Sequence, residues 1–238
     1  MNHIQVINLD TLQILTAAKS LLEEGVEETY MDLKGIYDAR DGELVANEPW
    51  PPTYNYFYGG LLMSPDNKRF LSKGWTWGSA DAYTVYGVAD FIANNRIVSK
   101  QIDFWKCRHR PACWVGDNIV VVPYNPKGED NAEDKQRLSA GDGNAMRLQL
   151  RWYNLDLSES AITKRMVFDV FDEMPSELYH SSMHNAIIAL HKKKGLACCD
   201  MEGVVLLRDE DFKPNAYFPE HNCFITYAGT KVSVHQLV

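Results

Sequence analysis

Phe168 to His191 reads FDVFDEMPSELYHSSMHNAIIALH, and whether its second half is helix or strand decides what kind of fold this chain has. Pro175 breaks whatever precedes it, Ser176 can cap a helix with its hydroxyl, and no further glycine or proline follows until Gly195. Tyr179, Met183, Ala186, Ile187 and Leu190 share one face at the three-and-four spacing of a helix. The spacing predicts an amphipathic helix over 177–194 with that face toward the core. His180, His184 and His191 then project along its margin, beside Glu177.

A histidine stripe suggests a metal, and the rise of a helix limits which members can share one. His191 would lie roughly 10 Å along the axis from His184 and roughly 16 Å from His180, so a single ion cannot take all three. His180 and His184, one turn apart, could chelate zinc with a third ligand from His221, Cys198 or Cys223. That arrangement would serve a metal-dependent hydrolase. Ser181, however, stands where the paired-histidine metalloproteases place their glutamate base. The simpler expectation is that these histidines are polar residues bordering a buried stripe, with no cofactor.

The rest of the chain frames that choice. With 238 residues, 45% hydrophobic and 24% charged, it can bury a substantial core without staples. A net charge of −8 opposes attraction to phosphate backbones, so nucleic acid is not an expected partner. Five cysteines, an opening MNHIQVINLD without basic or long apolar character, and the lack of any 18-residue apolar run fit a cytoplasmic chain that does not enter a membrane.

From the start, Asp10 with Gln13 resembles a capping box, and Leu12, Leu15, Ala18 and Leu22 continue at helical spacing, predicting a helix from Asp10 to Glu24. Aromatic residues crowd the next region: Trp50, Tyr54, Tyr56, Tyr58, Trp75 and Trp77 are candidate binding residues, because rigid amphipathic rings give contact area at low entropy cost. Ser64-Pro65-Asp66-Asn67 is turn chemistry, predicting a hairpin between a strand that opens in this aromatic cluster and runs to Met63 and a partner over 68–77, and Ser79 can cap a helix over 80–94. Gly35-Ile36-Tyr37 and Tyr58-Gly59-Gly60 resemble the paired signatures of the GIY-YIG endonucleases; three prolines interrupt the long gap and the second signature is incomplete, so no residue is carried over.

Residues 97–105 and 114–124 are β-rich, the latter bulged or divided at Gly116-Asp117-Asn118. Residues 125–144 read as a long polar loop. Met146, Leu148, Leu150 and Trp152 alternate with polar neighbours as a half-buried strand does. Residues 157–173 fit a helix through Ile162, Met166 and Val170, the preferred reading, or a strand through Met166, Phe168 and Val170. Residues 204–207 and the pair 223–227 with 231–237 read as strands.

These elements predict a single α+β domain over 1–238, with a largely antiparallel twisted sheet and three to four packed helices. For function, no complete catalytic constellation accompanies the abundant aromatics. The leading expectation is a non-enzymatic protein-binding or assembly protein, meeting a protein partner or a second copy of itself. A viral or phage accessory protein would suit so motif-poor a chain; the metal-dependent hydrolase is the alternative.

Overall fold

The computed structural model describes residues 4, 6–15, 56–76, 80–93, 99–105, 110–126, 132–157 and 162–237. Two compact units divide the chain: Met1–Met63 with Asn67–Arg108, and Ser64–Asp66 with His109–Val238.

The decisive stretch is strand. Glu177–Ser181 forms β9 and Ala186–His191 forms β10, paired antiparallel from Leu190↔Glu177 to Ala186↔Ser181. The reversal falls at Ser182 to Asn185, where Asn185 adopts a left-handed backbone with φ of 46°. Asparagine is one of the few residues that tolerate this region, so the turn needs neither glycine nor proline. Ala186, Ile187, Ile188, Ala189 and Leu190 are all buried. Because β10 is covered on both faces, its apolar residues run without alternation, and that run is what imitates a helical stripe.

The α+β expectation is therefore overturned: among the described residues 51% are strand and 9% helix. Among the described residues the two helices are short, α1 (Val88–Ala93) and α2 (Ala132–Ser139). Four antiparallel sheets follow one another in sequence among the described residues, each a meander in which consecutive strands pair. Sheet I holds β1 (Tyr56–Met63), β2 (Arg69–Thr76), β3 (Ala80–Gly87) and β4 (Ser99–Trp105). Sheet II holds β5 (Cys113–Val115), β6 (Ile119–Tyr124), β7 (Gln149–Asn154) and β8 (Ile162–Val167). Sheet III adds β11 (Gly195–Asp200) and β12 (Val205–Asp209) to β9 and β10. Sheet IV has three strands, β13 (Ala216–Phe218), β14 (Cys223–Ala228) and β15 (Lys231–Gln236). Such four-strand meanders are the blades from which β-propellers are built.

In the first unit, Phe70, Tyr86 and Phe91 pack together, Phe70 and Tyr86 stacked at 5.1 Å between ring centres, with Ile4, Val6 and Val88 against them. Ile4 and Val6 belong to an N-terminal hairpin, since Ile7 bridges Ile14 and Leu15 N–H donates to the Val6 carbonyl. Asn8 Oδ1 accepts from the backbone N–H groups of Asp10 and Thr11 and so closes a turn, not a helix. The described part of the expected helix from Asp10 is thus corrected; residues 16–24 lie outside the described set. The expected helix over 80–94 is strand β3 followed by the single short helix α1, because Ala80 to Gly87 pairs in register with Arg69 to Thr76.

In the second unit, sheets II, III and IV pack in succession. Val121, Leu150, Trp152 and Met166 of sheet II meet Leu178, Ile187, Ala189, Ala197 and Cys199 of sheet III, with Phe168, Val170 and Phe171 from the connection. Ile188, Leu190, Leu196 and Cys198 on the opposite face of sheet III meet Tyr217 and Phe224 of sheet IV. Burying side chains of this size contributes about 1.5–3 kcal/mol each, so the two interfaces hold the unit together. Residues 162–167, expected as helix, are β8, and the polar loop near 125–144 contains α2.

Candidate functional site

The sequence's candidate residues do not converge. His180 lies mid-strand on β9 opposite Ile187, half-buried, and its Nε2 is buried with no hydrogen-bond partner. Burial lowers its pKa, since the charged imidazolium is disfavoured away from water. His184 is exposed in the β9–β10 turn, where its backbone N–H donates to Ser181 Oγ. His221 is exposed in a 3-10 turn, Pro219–His221. The helical premise for a His180/His184 chelate is gone, because residues on a strand and in its turn do not stack as helical neighbours do. Among the described residues no three His, Cys, Asp or Glu side chains gather in a way that could hold a metal ion.

Cys198 and Cys223 are buried thiols. Both sit near the Tyr217 phenol, whose pKa is raised by burial first and by these thiols in smaller part. Tyr217 donates to Asn222 Oδ1 at 2.7 Å, and Asn222 Nδ2 donates to the Leu237 carbonyl at 2.7 Å. Asn222 takes a left-handed backbone, φ 48°, so one side chain ties β13, the 3-10 turn and the end of β15 together. This network is structural.

Of the aromatic candidates, Trp50, Tyr54 and Trp77 lie outside the described residues. Tyr56 and Tyr58 are on β1 and their side chains are likewise outside the described set. Trp75, on β2 opposite Asp81, is 37% exposed.

The feature that sequence reasoning missed is the outer margin of sheet III. Val204 is 59% exposed, Leu207 is 40% exposed, and Val205 and Leu206 lie between. Side chains alternate along a strand, so Val205 and Leu207 are exposed on one side of this margin and Leu206, with Val204 just before the strand, on the other. An edge strand apolar on both sides is unusual. Local chemistry holds them there. Asp200 Oδ1 accepts from the N–H groups of Glu202 and Val204, at 2.9 and 2.8 Å, and Gly203 supplies the left-handed turn residue, φ 92°. At the far end Asp209 Oδ1 accepts from Asp211 and Phe212, turning the chain inward so that Phe212 packs edge-on against Phe224. A register shift between Cys198 and Cys199 bulges the ladder to β11. Around the apolar strip stand charged groups: Lys164 pairs with Glu202 at 2.9 Å, and Arg208 with Glu210 at 2.8 Å. An apolar centre with a charged, solvated rim is the anatomy of a protein-contact surface. The signal was present as the run Val204-Val205-Leu206-Leu207, but such a run reads equally as a buried strand.

No protein-family model matches the chain, and no curated protein does. Solved structures similar to it include a chain of the mitotic checkpoint complex (9% identity, TM-score 0.43, covering 74% of this chain and 45% of that one). The WD40 β-propeller domain of Doa1 is similar at 8% identity and TM-score 0.42, covering 76% and 55%. One of two prolyl endopeptidases is similar at 13% identity and TM-score 0.43, covering 72% and 24%. The chain thus spans between about a quarter and just over half of the length of these structures. Among the described residues, no helix is long and apolar enough to cross a membrane.

Proposed function

We propose that this chain is a protein-binding scaffold, non-enzymatic, whose blade-type sheets display the Val204–Leu207 strip to a partner protein. The observation that carries the reading is the exposure of four adjacent aliphatics on the outer strand of an otherwise well-packed sheet. The fold gains nothing from them there, because the cores on both faces of sheet III are built from β9, β10 and β11. Trp75, on sheet I, is a second candidate contact by virtue of its exposure.

Affinity capture with the full chain tests this, comparing the wild type with Leu206→Glu and with a control, Glu220→Lys, exposed in the 3-10 turn before β14. Surface changes of this kind alter stability by about 0.5 kcal/mol or less, so lost binding is not lost folding. A protein retained by the wild type and the control but lost from Leu206→Glu supports the proposal. Identical captured sets from all three would overturn it.

A further inference from the structure

Among the described residues sheet IV has three strands where sheets I, II and III have four. In sheets I, II and III the ladders between second and third strands, β2·β3, β6·β7 and β10·β11, run without any register shift. The ladders between third and fourth strands all carry one, between Tyr83 and Thr84, Trp152 and Tyr153, and Cys198 and Cys199. Bulges of this kind twist an outer strand and spoil it as a template for further pairing. The β14·β15 ladder runs from Ala228↔Lys231 to Cys223↔Gln236 without a shift. By position and by regularity, β15 matches the inner strands β3, β7 and β11, yet its outer side meets no partner strand among the described residues.

The directions of its backbone groups follow from one bond. Leu237 N–H donates to the Asn222 carbonyl, so in a regular antiparallel ladder residues 231, 233, 235 and 237 face β14. The N–H and C=O groups of Val232, Val234 and Gln236 then point outward. The side chains of these same residues stand on the face of sheet IV away from sheet III, beside Phe218, Ile225 and Tyr227. Toward the β14–β15 turn that face is exposed, Tyr227 at 56%, Val232 at 57% and Val234 at 63%, while Cys223 at its other end, paired with Gln236, is buried. The face carries no charged side chain, in a protein with a net charge of −8. The strand has no proline and only Lys231 at its tip, so neither proline nor a charge within the strand protects this edge.

We propose that β15 pairs with β15 of a second copy of this chain, antiparallel about a two-fold axis through Val234, joining two three-strand sheets into one of six strands. In this register Val234 faces Val234, and Val232 faces Gln236 in both directions. The outward amides and carbonyls of these residues then exchange hydrogen bonds across the axis. Lys231 falls opposite Leu237, so no like charges oppose, which is what a face meeting its own copy requires. A single added strand pair buries far less than the roughly 800 Å² per partner of a stable complex, so the dimer forms at high concentration and dissociates on dilution.

Sedimentation velocity of the full chain, from about 5 to about 200 µM, tests this across the range where a dissociation constant of micromolar order is visible. The expected result is a monomer giving way to a dimer. V232K/Q236K places lysine against lysine at both ends and should weaken association at least about tenfold, the cost of roughly 1.4 kcal/mol. V232K/Q236E places lysine against glutamate and should retain the dimer. Val234→Pro removes an N–H that points away from β14, a position where an edge strand accepts proline, and should give a folded monomer. A wild type monomeric throughout, or equal loss of dimer in both charge variants, would overturn the proposal. Leu206→Glu, on β12, should leave the dimer intact, so failure here is separate from failure of the scaffold reading.

Discussion

Gly195→Ala is the sharpest test of the sheet III hairpins. Gly195 ends the three-residue loop after β10, pairs with His191, and adopts φ of 78°. His191 Nδ1 accepts from the N–H groups of Lys193 and Lys194, each at 3.1 Å, so the loop cannot shift without losing these bonds. A Cβ at position 195 would collide with the Asp209 carbonyl oxygen and stand 2.8 Å from Glu210 Cα. A left-handed alanine costs about 1–2 kcal/mol by itself. Relieving the collision means moving the Asp209 backbone away from β11, which sacrifices a ladder bond and strains the Asp209 cap at about 1 kcal/mol each. The sum is about 3–4 kcal/mol, or a fall in Tm of about 6–15 °C. Gly229, in the β14–β15 turn, supplies the control: its φ is 61°, and no atom lies within 4 Å of its would-be Cβ. Gly229→Ala should cost only the backbone term, about 1–2 kcal/mol. Urea unfolding followed by the fluorescence of the buried Trp114 and Trp152 reads both variants. Equal losses in the two would refute the claim that β12 closes tightly over Gly195.

Other consequences can be checked with the same melts. Asn185→Gly should be nearly neutral, whereas Asn185→Val should cost at least about 1 kcal/mol, because a β-branched residue resists the left-handed region. Ile188→Ala, fully buried between sheets III and IV, should cost about 2–5 kcal/mol. Burial pushes the Cys199 thiol up to about 12 and raises that of Cys113, so both stay protonated when folded. Their contribution to stability is complete below the unfolded value of 9.0 and is lost as pH rises from there toward about 12, a decline that Cys199→Ser should lessen. His180 has the opposite sense. Its pKa is lowered below 6.5, so the unfolded chain binds the proton first and stability falls as pH drops below 6.5; His180→Phe should flatten that fall in acid melts. In the native protein, a thiol reagent at pH 8 should modify Cys113 and Cys199 far more slowly than after denaturation.

How far the sequence revealed this fold depends on how each strand is covered. The hairpin across Ser64-Pro65-Asp66-Asn67 and the pair β14 and β15 were legible because turn residues punctuate them. Around Gly116-Asp117-Asn118 the same chemistry left a bulged and a divided strand open, of which the divided one forms. The hairpin β9–β10 was not, since β10 is apolar on both faces and its turn relies on one left-handed asparagine. On β7 the alternation was read correctly as strand but wrongly as half-solvated. Gln149 and Arg151 are buried, and the Arg151 guanidinium lies 3.2 Å from the centre of the Tyr124 ring. A charged side chain covered in this way has the same letter as one in water. The candidate surfaces were hidden for the converse reason: Val204 to Leu207 and Val232 with Val234 look like core in composition, and only their place at a sheet margin exposes them. The metal reading depended wholly on helical geometry, and it lost its basis when His180 and His184 proved to lie on a strand and its turn.

Because every ladder among the described residues joins strands adjacent in sequence, the contacts that define each sheet close over short spans of chain. Low separation between pairing partners shortens the search for the native state, which all-β proteins with crossed connections make slow. Sheets II and III can therefore assemble during synthesis before residue 216 has left the ribosome, with sheet IV arriving last to cover Ile188 and Leu190. A nascent chain halted before that point would carry those two residues on an open face, the form in which a chaperone would meet it.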